Sequence, residues 1–359
     1  MNQIKNIEIR NFKSIRHQKI EDCRRINVFV GYPNTGKSNL LEALSLFSID
    51  RPDADFSSFV RMKELTTLFF DGNVNENIEI RLNGDNRIIG EIMLDKLFFN
   101  WQLAGEGASF DKMGPGIQQK IFAILGYQKE EDSNKITGWD SIHTRLPRSD
   151  DFVDSLGQGY LTNIKKYKFS ENTEFISGKY GSLAVPNGSN IFDIVRTNRT
   201  ISGEIKDLFK EYNLELLYNS AEKRMSILKR IGKDVIFTIP YHLVSDTLLR
   251  LIFYKAAVIS NKDSVLLFEE PEAHMFPPYI SKFTSDIWYY KANQYFISTH
   301  SPFVVNDFLE NTREELAIYA VEYKKDIGET IIKRLTEEQV HEAYQFGIDI
   351  FFNLESITK

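Results

Sequence analysis

The sequence is poor in cysteine and has no long apolar segment. Cys23 is its single cysteine, which excludes an intramolecular disulfide and argues against a cysteine-based zinc site. No segment approaches the roughly 20 apolar residues that a membrane-spanning helix needs, and the N-terminal segment lacks the pattern of a signal peptide. We therefore expect a cytoplasmic protein that has no membrane partner.

Neither sign of charge dominates, and sustained heptads are also missing. Lys and Arg number 44 and Asp and Glu number 50, for a net charge of −6. This balance leaves a nucleic-acid partner open, because a basic groove can lie within an acidic total. Without heptads, the chain lacks the pattern of a long coiled-coil arm. Its 359 residues exceed the common domain size of about 100–150, so we expect one main unit with an inserted subdomain.

Apolar periodicity predicts an α/β fold. Residues 26–30 are mostly apolar, as in a central strand covered on both faces, and residues 38–47 follow with helical spacing. Further elements are predicted along the chain: strands at 4–9, 18–20, 78–82, 235–239, 264–268, 294–298 and 316–322, and helices at 202–212, 246–260, 278–290 and 336–345. Strands that alternate with helices indicate a mainly parallel sheet.

The strongest motif spans residues 31–38, Gly-Tyr-Pro-Asn-Thr-Gly-Lys-Ser, between the predicted strand and helix. It matches a phosphate-binding loop, in which glycines let backbone N–H groups face the phosphates and the helix N-terminus adds positive potential. Lys37 is expected to reach the β- and γ-phosphates, and the Ser38 hydroxyl to bind Mg²⁺. The residues predicted to bind the nucleotide here are Gly31, Asn34, Thr35, Gly36, Lys37, Ser38 and Asn39. The alternative, an ordinary glycine-containing turn, does not account for the whole pattern.

A second motif places two carboxylates directly after a buried apolar strand. Glu269 and Glu270 follow residues 264–268, at the edge where a doubly wound sheet places its active site. Glu269 would bind Mg²⁺ through water, and Glu270 would polarise the attacking water. The alternative is an acidic strand end that caps the next helix near Pro271. The phosphate loop earlier in the chain favours the catalytic interpretation.

A third motif is the sequence Thr299-His300-Ser301, which follows the predicted strand at residues 294–298. A histidine just beyond the carboxyl end of a strand can contact the γ-phosphate and sense its loss. A lone histidine in such a place is often structural instead. The position of His300, thirty residues after Glu270, favours the functional interpretation.

Together, the three motifs resemble the ABC-type ATPases of the SMC, RecF and OLD group, especially their short stand-alone bacterial relatives without a TOPRIM domain. Residues 11–15, Asn-Phe-Lys-Ser-Ile, resemble the N-terminal signature of that group. Residues 273–277, Ala-His-Met-Phe-Pro, resemble the segment that follows its acidic Walker B strand. The resemblance is good for residues 1–50 and 235–310, and weak for residues 95–215.

The resemblance implies a P-loop ATPase head with a mainly parallel central sheet and an N-terminal antiparallel β part. It divides the chain into an N-terminal part of the head with the phosphate loop (1–94), an inserted α/β or helical lobe (95–215) and a C-terminal part of the head (216–359). It also implies ATP and Mg²⁺ as cofactors.

The resemblance assigns Glu270 as the catalytic base and His300 as the switch histidine, with Lys37 and Ser38 as ligands of phosphate and metal. It places Phe12 and Lys13 against the adenine or ribose. The alternative for these two residues is a core contact at the end of a strand.

This sequence departs from the family pattern in two places. Glu269 stands where the family usually has Asp, which keeps the charge but lengthens the side chain by one methylene. Ser245 is the best candidate for the signature serine that reaches the γ-phosphate of a partner, but the usual glycine does not follow it. Ser245 could instead be a helix N-cap. The glutamine of the Q-loop has no clear counterpart, and residues 69–73 are the best candidate region.

By resemblance we expect a homodimer or higher oligomer, with ATP sandwiched between the heads, and a separate effector protein such as a nuclease or toxin, in a setting of anti-phage defence. Two alternatives remain: an ATP-gated scaffold with little or no turnover, and an SMC- or RecF-like repair ATPase that binds DNA. DNA or RNA is therefore a second possible partner. The basic stretch at residues 165–168 could touch a nucleic-acid backbone, although a solvated face is the commoner role of such a run.

Overall fold

The computed structural model describes residues 3–49, 56–85, 88–94, 142–145, 163–171, 175, 181–232 and 235–354. The chain divides into two compact units. The acidic-strand unit contains Lys165–Glu314, and the phosphate-loop unit contains Asn2–Ile164 and Glu315–Lys359. Much of the predicted lobe at 95–215 lies outside the described residues, so the three domain boundaries remain a prediction.

The strands and helices of the described residues are numbered in chain order. The strands are β1 (Asn6–Phe12), β2 (Ile15–Ile20), β3 (Ile26–Val30), β4 (Ile78–Asn83), β5 (Ile88–Leu94), β6 (Ile142–Arg145), β7 (Ile164–Tyr167), β8 (Glu215–Asn219), β9 (Arg224–Ile231), β10 (Val235–Pro240), β11 (Val265–Glu269), β12 (Gln294–Ser298), β13 (Leu316–Lys324) and β14 (Glu329–Arg334). The helices are α1 (Lys37–Ser45), α2 (Ile191–Thr197), α3 (Arg199–Lys210), α4 (Asp246–Ser260), α5 (Pro277–Tyr289), α6 (Pro302–Thr312) and α7 (Glu337–Phe346).

The phosphate-loop unit combines an antiparallel sheet with a group of strands around β3. The antiparallel sheet has the order β2-β1-β4-β5-β6. β3 runs parallel to β13, which pairs in turn with β14 in antiparallel fashion. Every residue of β3 is buried, as its continuous apolar sequence predicts. The strand therefore carries the loop that follows it out of a rigid core.

The acidic-strand unit contains parallel strands covered by helices. β11 and β12 are parallel, in a register that pairs Glu269 with Ser298, and β7 is the other neighbour of β11. A separate antiparallel sheet has the order β10-β9-β8. Tyr254 of α4 packs edge-on against Phe268 of β11, with ring centroids 5.2 Å apart, and against Phe283 of α5. This aromatic packing fixes the two helices on the strand that ends in Glu269.

The structure extends the predicted elements where their apolar signal is weak. The predicted strand at 18–20 is the second half of β2, whose first half exposes Arg16 and His17 and so does not alternate cleanly. β14 was not predicted at all, because a short strand with Ile331 and Ile332 as its apolar residues gives little periodicity. β14 matters for the site, since it carries Thr330.

Neither interpretation of the basic stretch at residues 165–168 holds for Lys166. Lys165 and Lys166 both lie in β7, where Lys166 is buried and its Nζ lies 3.7 Å from Oε2 of Glu269. Lys165 donates hydrogen bonds to Oγ of Ser182 and Oδ1 of Asn261. The strand turns successive side chains to opposite faces and gives both lysines partners within the protein.

Two features are absent from the described residues. No helix there is both long and apolar enough to cross a membrane. The same part of the chain contains no cluster of three or more His, Cys, Asp or Glu side chains that could by itself hold a metal ion.

A buried charge cluster joins three helices of the acidic-strand unit. Lys255 of α4 donates to Oδ1 of Asp286 of α5 at 2.7 Å and also to Glu204 of α3. Tyr290 donates to the same glutamate at 2.6 Å. Burial raises the pKa of Asp286 to about 6, although the positive charge of Lys255 acts to lower this pKa. The lysine is therefore the positive charge that this cluster needs in order to keep its carboxylates ionised.

We predict that Lys255→Met lowers the free energy of unfolding by about 3–5 kcal/mol, the usual cost of removing one partner of a buried ion pair. Urea denaturation followed by circular dichroism measures the change. Lys206→Met, on the exposed side of α3, is the control and should stay within about 0.5 kcal/mol of the wild type. Equal stability of the two variants would contradict the role given to Lys255.

Candidate active site

The phosphate loop runs from β3 directly into α1, which begins at Lys37, one residue before the predicted helix at 38–47. Two residues of the loop adopt positive φ angles, Asn34 at 62° and Gly36 at 100°. The ammonium of Lys37 donates to the carbonyl oxygens of Gly31 and Tyr32, both at 2.8 Å. The lysine thus folds back over its own loop, and its ammonium group lies against the carbonyl oxygens of the loop.

A cluster of hydroxyl groups fixes the loop from β14 and from the turn after β1. The Thr330 hydroxyl donates to the carbonyl oxygen of Thr35 at 2.9 Å and lies 2.7 Å from the hydroxyl of Ser14. Asn39, predicted to bind nucleotide, donates its side-chain amide to Ser14 Oγ at 2.7 Å. Asn39 is therefore part of this supporting cluster in the structure.

Two glycines of the loop have no room for a side chain. A Cβ atom on Gly31 would lie 2.2 Å from the carbonyl oxygen of Val321, and one on Gly36 would lie 2.2 Å from Oγ1 of Thr330. Gly36 also needs its positive φ, which residues with a side chain rarely adopt. Close packing therefore requires glycine at both positions.

Phe12 and Lys13 differ in burial: Phe12 lies in the core, and Lys13 lines a surface cleft. Phe12 is fully buried at the end of β1, as the core-contact alternative predicts. Lys13 pairs with Glu42, donates to the carbonyl oxygen of Arg61 at 2.6 Å and lines an open cleft of about 750 Å³. Of the two residues, Lys13 is the one that can meet a ligand. The candidate Q-loop region, residues 69–73, contributes Phe69, Asp71 and Gly72 to the same cleft.

The predicted catalytic residues Glu270 and His300 lie together at the carboxyl ends of β11 and β12. Nε2 of His300 is 3.2 Å from Oε1 of Glu270. The backbone N–H of Glu270 donates to the carbonyl oxygen of Ser298 at 2.9 Å, and its φ of 44° is unusual for a residue with a side chain. Such strain occurs preferentially at functional sites. Both side chains are partly exposed, so a bound molecule can reach them.

The acidic motif continues to Glu272, to which the sequence analysis assigned no role, and this residue supports the segment that carries His300. Its Oε1 accepts hydrogen bonds from the Thr299 hydroxyl at 2.6 Å and from the backbone N–H of His300 at 3.1 Å. Burial raises the pKa of this carboxyl group against the effect of those two donors. Glu272 is thus a positioning residue, because it fixes the backbone that carries the histidine.

Ser245 is the residue that precedes α4 and is exposed. Its side chain makes no capping hydrogen bond to the helix, although its carbonyl oxygen accepts from Leu248 and Leu249. The N-cap alternative therefore describes its position but not a bond of its hydroxyl group. Its predicted contact with a nucleotide remains a prediction.

The residues predicted to hold Mg²⁺ offer suitable donors. Ser38 lies in the first turn of α1, and the carboxylate of Glu269 ends β11 with 24% of its side-chain surface exposed. Hydroxyl and carboxylate oxygens are the hard ligands that Mg²⁺ prefers, and Mg²⁺ commonly takes only one or two protein ligands beside water and phosphate. This donor set fits Mg²⁺.

Comparison with known proteins identifies the family. The family model described as the AAA ATPase domain matches residues 3–249, a span that contains the phosphate loop and Ser245. The chain belongs to the AAA ATPase domain family. The matched span ends before Glu269, so the roles of the acidic strand and of His300 depend on geometry rather than on this match.

Relatives of this AAA ATPase domain protein include the DNA replication and repair protein RecF of Thermoanaerobacter sp. (strain X514). The two are 46% identical over 48 residues, which is 13% of either chain. The uncharacterized protein MJECL10 of Methanocaldococcus jannaschii is 41% identical over 239 residues, covering 60% of this chain and 94% of that protein. The chain therefore matches only a short part of the RecF sequence.

Solved structures confirm the fold class of this AAA ATPase domain protein. An SMC head bound to the C-winged helix domain of ScpA has a TM-score of 0.56 at 16% identity, covering 94% of this chain and 99% of that chain. The Smc head domain with an extended coiled coil, bound to the C-terminal domain of ScpA derived from Pyrococcus furiosus, has a TM-score of 0.53 at 14% identity over 100% of both chains. The predicted α/β fold is confirmed, and it is the fold of SMC head domains.

We predict that Gly36→Ala lowers the free energy of unfolding by more than about 1 kcal/mol, because alanine must adopt a positive φ and its Cβ meets Thr330. Gly203→Ala is the control, since Gly203 lies within α3 with open space around it and alanine there should stabilise by about 0.5–1 kcal/mol. Chemical denaturation of both variants tests the pair. A Gly36→Ala variant as stable as the wild type would refute the packing argument.

We predict that Glu272→Ala destabilises the protein by about 1–3 kcal/mol, because it leaves the Thr299 hydroxyl and the His300 N–H without their acceptor. Glu272→Gln keeps an acceptor oxygen and should cost clearly less. Denaturation gives the energies, and hydrogen exchange at the His300 amide should quicken in the alanine variant. If the His300 amide exchanges as slowly in Glu272→Ala as in the wild type, Glu272 does not hold this segment.

Proposed function

We propose that this AAA ATPase domain protein binds ATP and hydrolyses it to ADP and phosphate with Mg²⁺ as cofactor. The observation that most supports hydrolysis, beyond binding, is the 3.2 Å contact between Glu270 and His300 at adjoining strand ends. A carboxylate and an imidazole in contact, both partly exposed, form a pair that can orient a water molecule and respond to a phosphate.

Each residue has a role in this proposal. The loop residues Gly31, Asn34, Thr35 and Gly36 present backbone groups to the phosphates, and Lys37 neutralises the β- and γ-phosphate charge. Glu270 accepts the proton of the attacking water, and His300 contacts the γ-phosphate. Ser38, and Glu269 through water, would hold Mg²⁺, and the metal would neutralise charge on the phosphate oxygens.

The cleft beside Lys13 supports a place for the nucleoside. It is open, and Lys13 lines it together with Asp71 and Gly72 of the candidate Q-loop region. A lysine ammonium binds hydroxyl oxygens, and a cleft of about 750 Å³ has room for a nucleoside, so this cleft can take the adenine or ribose. Lys13 rather than the buried Phe12 makes the contact in this proposal.

The proposal extends to dimerisation and to partners. Two copies close around ATP, with the exposed Ser245 of one copy reaching the nucleotide of the other, and hydrolysis reopens them. A separate effector protein, a nuclease or toxin, binds the dimer and responds to its closing and reopening. This system acts in anti-phage defence in the cytoplasm. The alternative is an ATP-gated scaffold with little turnover. It is favoured by Glu269, which stands where the family usually has the shorter Asp, and by the absence of the usual glycine after Ser245. The RecF relatives favour DNA as a second partner.

We predict that the purified protein hydrolyses ATP in the presence of Mg²⁺ and that Glu270→Gln lowers kcat by about 10²–10⁴-fold, the usual share of a general base. Lys37→Ala should lose nucleotide binding, because it removes the phosphate-neutralising charge. Steady-state phosphate release measures turnover, and equilibrium ATP binding measures affinity.

Size-exclusion mass in each nucleotide state completes this test. Glu270→Gln should accumulate as an ATP-bound dimer, since it binds ATP without hydrolysing it. Wild-type protein that binds ATP but turns over no faster than Glu270→Gln would overturn the enzymatic proposal in favour of the scaffold. ATP-dependent, salt-sensitive binding of duplex DNA would support the repair-type alternative.

A further inference from the structure

Lys166 places a buried ammonium group beside a carboxylate that our proposal assigns to Mg²⁺. Its Nζ lies 3.7 Å from Oε2 of Glu269, and its side chain is 5% exposed against 24% for the glutamate. A buried charge is stable only when it has a partner of opposite sign or hydrogen bonds to satisfy it. The protein therefore supplies its own cation to Glu269.

The backbone fixes the direction of this lysine. β7 lies next to β11 in the sheet, and Glu269 is the last residue of β11. Consecutive residues of a strand point to opposite faces, and Lys165 accordingly binds elsewhere, at 2.9 Å from Ser182 Oγ and 2.6 Å from Asn261 Oδ1. The approach of Lys166 to Glu269 is thus part of the sheet rather than a chance contact of a long surface side chain.

An ammonium and a divalent cation compete electrostatically for one carboxylate. Mg²⁺, bound directly or through water, would add a second positive charge beside Glu269, and two cations near one partly buried site repel each other more than they would in water. The lysine is too far from Oε2 for a strong hydrogen bond, so the contact is electrostatic and can yield to a metal ion.

We propose that Lys166 is a positioning residue that holds the Glu269 carboxylate and competes with Mg²⁺ for it. Glu269 then binds the metal only at a higher Mg²⁺ concentration than it would beside a neutral residue. Mg²⁺ binding at this site therefore depends on the additional ligands that a bound nucleotide supplies. This inference rests on the proposed function, because it assumes that Glu269 serves a nucleotide-bound metal.

The test is the affinity for ADP measured by calorimetry at increasing Mg²⁺ concentration. Lys166→Met removes the charge and keeps the length of the side chain, so the Mg²⁺ concentration that gives the half-maximal rise in affinity should fall by about threefold to tenfold. Lys166→Arg keeps the charge and should stay near the wild type. Lys165→Met, the neighbour on the opposite face, is the matched control and should leave the Mg²⁺ requirement unchanged.

Each outcome has a separate meaning. ADP affinity without Mg²⁺ should be the same in all variants, which shows that the phosphate loop is intact. A Lys166→Met variant with an unchanged or increased Mg²⁺ requirement overturns competition while the proposed function stands. A wild type that binds no ADP overturns the proposed function and this inference with it. If Lys166→Met does not fold, Lys166→Gln, polar and neutral, gives the same test.

Discussion

The phosphate loop depends on contacts that hold its carbonyl oxygens. Thr330 donates to the carbonyl of Thr35, and Lys37 donates to those of Gly31 and Tyr32. A phosphate needs the N–H groups of such a loop, so the shape of the loop must be fixed through other atoms if it is to be ready before the ligand arrives. The missing side chain of Gly36 makes this possible, because it lets Thr330 approach the backbone.

At the end of the acidic strand, three carboxylates lie within four residues of sequence, those of Glu269, Glu270 and Glu272. Each glutamate has a partner of its own: Glu269 faces Lys166, Glu270 faces His300, and Glu272 accepts from Thr299 and from the backbone of His300. Like charges at short range destabilise each other unless cations or donors intervene. The separate partners let the carboxylates differ, with Glu272 buried and Glu269 and Glu270 reachable from solvent.

Sequence reasoning found the parts of the site whose signal is local. Strand, loop and helix follow one another within residues 26–45, and apolar spacing placed the start of the helix within one residue of Lys37. Thr330 could not be found in this way, because it acts on Thr35 across 295 positions and lies on a strand with little apolar periodicity. Glu272 was within the motif, but its role depends on a contact with the next strand rather than on its own neighbours in sequence.

The lysines of β7 show why charge patterns mislead at such a site. A basic run normally marks a solvated face, because burying an ammonium costs more than a lone lysine can recover. That cost falls where a neighbouring strand ends in carboxylates, and Glu269 is such a group. The lysine and the carboxylates therefore stabilise each other. The negative charge of the carboxylates lowers the free-energy cost of burying Lys166, and the positive charge of Lys166 reduces the repulsion among the carboxylates. Neither half of the pair identifies the other from sequence, since the pairing of β7 with β11 exists only in the fold.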